Sequence, residues 1–176
     1  SLTKSFNQVR WNKDGQRIIT LNQSGYIELW DKNGNPVEIQ NSTTYSSYDY
    51  SDSTNLIVAF AKENQRVDFF DLNGQKIDSL KFSFNNRNKE LTQHIKFYPS
   101  GKYLFLGNVI LDEELPTSYN LSLIDLKGHV IFSKSFKKAN SSGLADIFIS
   151  TSGSSIAAIL ISPWLNDQLN SWNPNL

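Results

Sequence analysis

The chain has no cysteine and no methionine, and its 176 residues include 2 histidines and 5 prolines. Without cysteine there is neither a disulfide framework nor a thiolate metal site. Methionine is missing even at position 1, so these residues are expected to be a slice of a longer chain or a processed product. His94 and His129 lie far apart in sequence and cannot alone supply the three or four converging ligands that zinc needs. No metal and no cofactor is expected. An excess of one charge is also missing. Lys+Arg and Asp+Glu number 17 each, so no net field steers the chain to nucleic acid or to an acidic membrane. Neither is an expected partner. The longest apolar run, Ile156–Ile161, is far too short to span a bilayer. Ser1–Trp11 lacks the apolar region of a signal peptide, which makes the cytoplasm the expected compartment. There is no Gly-x-Ser-x-Gly elbow, phosphate-cradling Gly-rich loop or dinucleotide fingerprint.

What the chain does have is 39% hydrophobic and 12% aromatic residues, enough for a sizeable core. They come in short runs closed by turn signals. Val9–Trp11 ends at Lys13-Asp14-Gly15, Ile18–Leu21 at Asn22–Gly25, and Tyr26–Trp30 at Asp31-Lys32-Asn33-Gly34, with Pro36–Gln40 following. Runs of four to six residues split by Asp-Gly and Asn-Gly turns predict an antiparallel meander. The unit then repeats. First runs align at Val9–Trp11, Tyr48–Tyr50, Ile95–Phe97 and Ile147–Ile149. Second runs align at Ile18–Leu21, Ile57–Phe60, Leu104–Gly107 and Ile156–Ile159. Third runs end at Leu29-Trp30-Asp31, Phe69-Phe70-Asp71 and Leu123-Ile124-Asp125, and Leu169–Asn173 matches them. Fourth runs are Pro36–Gln40, Ile77–Phe84 and Val130–Phe136.

On these residues, Leu29-Trp30-Asp31 and Phe97-Tyr98-Pro99-Ser100-Gly101-Lys102 above all, the chain resembles the divergent, bacterial-looking members of the WD-repeat β-propeller family. It departs from that family in lacking the Gly-His dipeptide and the Asp before the third strand, where Ser24 stands. The resemblance implies an all-β fold of four-stranded antiparallel meander blades. The blade units are 7–40, 46–84, 93–136 and 145–176, with residues 1–6 as a lone fourth strand that resembles Ile131–Phe136. About four blades follow, forming an open arc or a fragment of a larger propeller. Missing repeats or self-association would then cover the open ends. Stacking would bury Trp30, Phe70, Ile124 and Trp172, which share one position of the third strand. Trp30→Ala is then expected to cost about 3–5 kcal/mol.

Connections sort onto two rims. The long ones, Glu38–Ser47, Ala61–Arg66, Lys81–Thr92, Asn108–Asn120 and Lys134–Leu144, share one rim, and long loops on a rigid scaffold are where binding usually resides. The expected function is a non-catalytic protein–protein interaction scaffold that uses this rim. Its candidate contacts are Tyr45, Arg66, Arg87, Glu113, Tyr119 and Trp164, because aromatics and Arg dominate hot spots. The alternative is an enzymatic or small-ligand- or metal-binding propeller with a site at the channel mouth, to which Asp112-Glu113-Glu114 would contribute. Three further stretches have bland readings. Asp31-Lys32-Asn33-Gly34 lacks the twelfth-position Glu of a calcium loop, since Ser42 stands there, and reads as a turn. Lys134, Lys137 and Lys138 with Phe132 and Phe136 read as a solvated edge strand. The Asn-x-Ser/Thr triplets read as chance in so Asn- and Ser-rich a chain.

Overall fold

A computed structural model describes residues 5–39, 43–61, 63, 65–81, 89–112, 115–137, 143–161 and 169–172. They hold fifteen strands and no helix, so no helix is long and apolar enough to cross a membrane. The chain forms two compact units, Ser1–Lys81 and Phe82–Leu176.

The first unit contains two four-stranded meanders. Sheet 1 is β1 (Phe6–Trp11), β2 (Arg17–Asn22), β3 (Ile27–Asp31) and β4 (Pro36–Val37). Sheet 2 is β5 (Ser47–Ser51), β6 (Leu56–Ala61), β7 (Arg66–Phe70) and β8 (Lys76–Lys81). In the second unit, sheet 3 is β9 (Lys89–Phe97), β10 (Tyr103–Asp112), β11 (Leu115–Asp125) and β12 (Val130–Lys137). Sheet 4 has three strands, β13 (Gly143–Ile149), β14 (Ile156–Ile161) and β15 (Leu169–Trp172). All described pairings are antiparallel and join consecutive strands.

One turn closes the third strand of sheets 1, 2 and 3. The Asp31 carboxylate accepts the backbone N–H groups of Asn33 and Asn35, each at 2.8 Å. Asp71 does the same with Asn73 and Gln75, and Asp125 with Lys127 and His129. Gly34, Gly74 and Gly128 follow at φ +82°, +82° and +89°, the left-handed region that glycine enters without strain. The carboxylate oxygens here serve the turn, as the sequence pattern suggested. The side-chain and backbone donors of Asn35 hold the Asp31 carboxyl below its ordinary 3.8.

Two expectations change. The described part of Asn108–Asn120 is not a loop: β10 runs to Asp112 and β11 starts at Leu115, paired from Tyr103↔Asp125 to Asp112↔Leu115 with a register shift between Ile110 and Leu111. Most of Lys81–Thr92 and Lys134–Leu144 that is described is likewise strand, since β9 begins at Lys89, β12 ends at Lys137 and β13 begins at Gly143. Alternating Leu, Val, Ile and Tyr with Ser and Asn carries these hairpins beyond the length of a plain repeat. In addition, Phe6 opens β1 opposite Asn22 rather than closing a fourth strand, while Ser1–Lys4 lie outside the described residues.

Candidate interaction face

Register converts the repeat into geometry. Trp11 pairs with Ile18 and Ile18 with Trp30. The same row recurs as Tyr50, Ile57 and Phe70 in sheet 2, and as Phe97, Leu104 and Ile124 in sheet 3. In sheet 4 the register positions are Ile149, Ile156 and Trp172. Because side chains alternate along a strand, this row marks one face of each sheet. In sheet 2 that face packs on sheet 1: Tyr48, Tyr50, Ile57, Ala59 and Phe70 form one core with Ile19, Leu21, Ile27 and Leu29. In sheet 4 it packs on sheet 3, where Ile147 and Ile156 join Phe105, Val109, Tyr119, Leu121 and Leu123. It is called the trailing face below, and its opposite the leading face.

Polar ties fix the seam between sheets 1 and 2. Tyr48 Oη donates to the Ile19 carbonyl at 2.8 Å, and the Tyr45 N–H to the Gly25 carbonyl at 2.7 Å. Arg10 of β1 pairs with Asp49 of β5 and lies over the Tyr50 ring. Arg17 Nε reaches the Leu72 carbonyl at 3.2 Å.

The trailing face of sheet 1 has no earlier sheet among the described residues. Val9 is 58% exposed and Trp11 51%, while Ile18 and Trp30 are half-buried. Tyr26 and Phe6 stand exposed at its far end, both beside Asn22. Between the two ends the face is polar and internally bonded. Trp30 Nε1 donates to Thr20 Oγ1 at 3.1 Å, and Asn22 Nδ2 to Glu28 Oε1 at 3.2 Å. These bonds tie Trp30 and Glu28 to their cross-strand neighbours. The sequence expectation for Trp30 is thereby corrected, because it is a half-exposed member of this face and not a fully covered plug.

No protein-family model and no curated protein matches the sequence. Solved structures do match. A hydrazine synthase chain of Kuenenia stuttgartiensis superposes with a TM-score of 0.56 at 15% identity, over 97% of this chain and 63% of that one. The β-propeller domain of Cps50 (Swd1) from Myceliophteria thermophila gives 0.53 at 15% identity, over 96% of this chain and 72% of that one. The fold is that of a β-propeller. Each sheet is a blade. The chain spans less than two thirds of the hydrazine synthase chain, and at such identities the likeness carries the fold alone.

The blades take up Tyr45, Arg66 and Tyr119, the three described residues of the six that sequence reasoning placed on the binding rim. Tyr45 is 5% exposed and packs edge-on against Phe70 with ring centroids 6.0 Å apart. Its hydroxyl donates to Asp68 at 2.8 Å. Arg66 forks onto the same Asp68 through Nε and an Nη nitrogen, both at 2.8 Å, and Lys76 and Ser79 reach it at 2.8 and 2.7 Å. Asp68 is fully buried. Burial pushes its carboxyl up, but the donors Lys76, Ser79, Tyr45 and Arg66 outweigh burial and hold it below 3.8. Burial, then Asp68 itself, raises the Tyr45 phenol well above its ordinary 10.0. Tyr119 is 1% exposed in the blade 3 core. Tyr45 and Tyr119 are therefore packing residues, and Arg66 is an internal ion-pair partner with a partly exposed edge. Arg87, Glu113 and Trp164 lie outside the described residues, as does Glu114. Phe132 and Phe136 rest against the blade 3 core, and β12 forms the sheet edge. His129 Nδ1 is bonded to Asp125 at 2.8 Å. Among the described residues no three His, Asp, Glu or Cys side chains gather into a metal-binding group.

Sequence reasoning expected open end faces but did not name Phe6, Val9, Trp11 and Tyr26 as exposed residues of one.

Proposed function

We propose that this chain is a divergent WD-repeat-like propeller that serves as a non-catalytic scaffold for protein–protein contact, and that blade 1 carries the contact surface. The observation behind this reading is the gathering of Phe6, Val9, Trp11 and Tyr26, all exposed, on a single sheet face. Clustered exposed aromatics are uncommon on a surface that stays solvated and common where a partner is anchored. Phe6 and Tyr26 sit at the end that carries the second-to-third-strand loop, so the rim first chosen contributes through them. The propeller likeness of both solved structures is compatible with this role.

The test is affinity capture with the purified chain against a Trp11→Ala/Tyr26→Ala double variant. The expected result is a specific partner retained by the wild type and lost at least about tenfold by the variant, since hot-spot truncations cost more than 1 kcal/mol each. The same proteins recovered in the same amounts by both would remove blade 1 from the reading.

A further inference from the structure

We propose that the outer edge of β12 takes an extended acidic segment of a partner protein as a fifth strand of blade 3. This surface lies in the middle of the chain, apart from the blade 1 face, and does not depend on the function read there. The first support is the edge itself. β12 is eight residues long, and among the described strands it pairs on one side only, with β11. Such an edge presents backbone N–H and C=O groups on alternate residues, the template that an added strand uses. The outer strands of blades 1 and 2 offer less. β4 has two residues, and in β8 Lys76 and Ser79 are drawn onto Asp68 while Asp78 offsets the remaining lysine. The second support is charge of one sign. β12 carries Lys134 and Lys137 and no Asp or Glu, and the stretch of β11 that pairs with it, Ser118–Ile124, holds no charged residue. A like-charged strand is repelled there, the β12 of a second copy included, whereas a carboxylate is attracted. The third support is side-chain pattern. Phe132, Lys134 and Phe136 stand opposite Leu123, Leu121 and Tyr119 on one side of the sheet, and Ser133 and Ser135 on the other. Both Phe rings are half-buried against the blade 3 core, and the exposed Lys134 holds its Nζ 5.5 Å from the centre of the Phe136 ring. Val130 and Ile131, 62% and 52% exposed, extend the apolar contact at the start of the strand. The complement is an extended segment with an acidic residue flanked at two-residue spacing by apolar ones, and small polar residues between. Half-buried Phe rings are not open platforms for stacked bases, which favours a peptide over single-stranded nucleic acid.

The probe is the capped peptide Ser-Val-Thr-Glu-Thr-Val-Ser, whose pattern reads the same in both directions. It is labelled with a fluorophore and titrated with the purified chain, with anisotropy as the readout. Saturable binding with a Kd below about 1 mM is expected. Lys134→Glu changes an exposed side chain, and circular dichroism checks that the fold is kept. It is expected to weaken binding at least about fivefold, because an attractive cross-strand pair becomes a repulsive one. The same variant is expected to prefer the peptide with Lys in place of Glu. A peptide N-methylated at its central residues keeps its charge but loses its backbone donors, and is expected not to bind. A wild type that shows no saturable binding overturns the proposal and leaves the blade 1 reading to its capture experiment. So does a Lys134→Glu variant of unchanged affinity, or a methylated peptide that binds as well as the parent. A short oligothymidylate that binds more tightly and displaces the peptide would hand the edge to single-stranded nucleic acid. Self-association of the chain that the peptide competes away would hand it to a second copy. Either result overturns the proposal too.

Discussion

Blades 1 and 2 share the register of their central row and the turn that closes the third strand, yet their first strands live in opposite surroundings. All five residues of β5 are buried, whereas every residue of β1 is exposed except half-buried Gln8. The rows that follow differ in the same sense. Tyr50, Ile57 and Phe70 are almost fully covered, while Trp11, Ile18 and Trp30 keep contact with water. The difference does not come from the residues, since Trp11 and Trp30 are at least as apolar as their counterparts. Among the described residues a neighbouring blade covers the one face and not the other. A repeat fold builds each face to pack on a neighbouring repeat.

The comparison can be broken most sharply at the third strand. Phe70→Ala is expected to lose about 3–5 kcal/mol, because Phe70 has no exposed surface and its removal leaves a cavity. Trp30→Ala at the equivalent position should cost only about 2 kcal/mol in the single chain, since part of the ring already faces water. Urea denaturation of both variants measures the gap. Equal losses would mean that the blade 1 face is covered in solution.

Next comes Asp68, which blade 2 buries where blade 1 carries Glu28. Asp68→Asn is expected to cost about 3 kcal/mol at neutral pH, the low end for a broken buried pair. Arg66 and Lys76 keep 20% and 32% of their side chains exposed and can turn to water. The sign of the pH effect follows from the depressed carboxyl. Its stabilisation is complete above the ordinary 3.8 and fades as pH falls through the lower folded value. The gap between wild type and variant should therefore stay constant from pH 7 to about 5 and close below about 4. A gap that widens in acid would refute the assignment of Asp68 as a charged hub.

A smaller contrast lies in the turns. Gly34 and Gly74 both sit at φ +82°, so alanine is strained at either. At Gly34 a Cβ meets nothing within 4 Å, whereas at Gly74 it would lie 2.1 Å from the Glu38 carbonyl oxygen of the link between blades. Gly34→Ala should cost about 1 kcal/mol and Gly74→Ala about 2–3 kcal/mol. Thermal melts of the pair read this directly. Arg10→Ala is the smallest change. It removes a half-exposed ion pair to Asp49 and is expected to cost about 1 kcal/mol or less, mostly at low salt.

Most of the strands could be read from the sequence because the Asp-x-x-Gly turns and the two-residue alternation are local signals. Asp31, Asp71 and Asp125 announce their turns within five residues. The blade 3 hairpin was misread because Asn108, Ser118 and Asn120 look like loop residues, and only cross-strand pairing reveals them as the polar side of β10 and β11. The binding surface was harder still. Tyr45, Arg66 and Tyr119 are residue types that favour interfaces, but the same properties suit a buried seam. For Tyr45 and Arg66 the two roles are separated by buried Asp68, which Tyr45 reaches from 23 residues away with no local pattern to announce it; for Tyr119 they are separated by burial in the blade 3 core.

The described strands pair only with their immediate neighbours along the chain, and this has a mechanical consequence. No described strand is threaded between two distant segments, so a blade can leave without unpicking the strand ladder of another. Pulled from its ends, such a chain yields in steps, each freeing about 40 residues and about 14 nm of contour. The same connectivity lets a blade condense while its successor is still unfolded, because each hairpin closes over a short loop. Adding or deleting a repeat then changes the number of such steps and leaves the bonding within each remaining blade as it was.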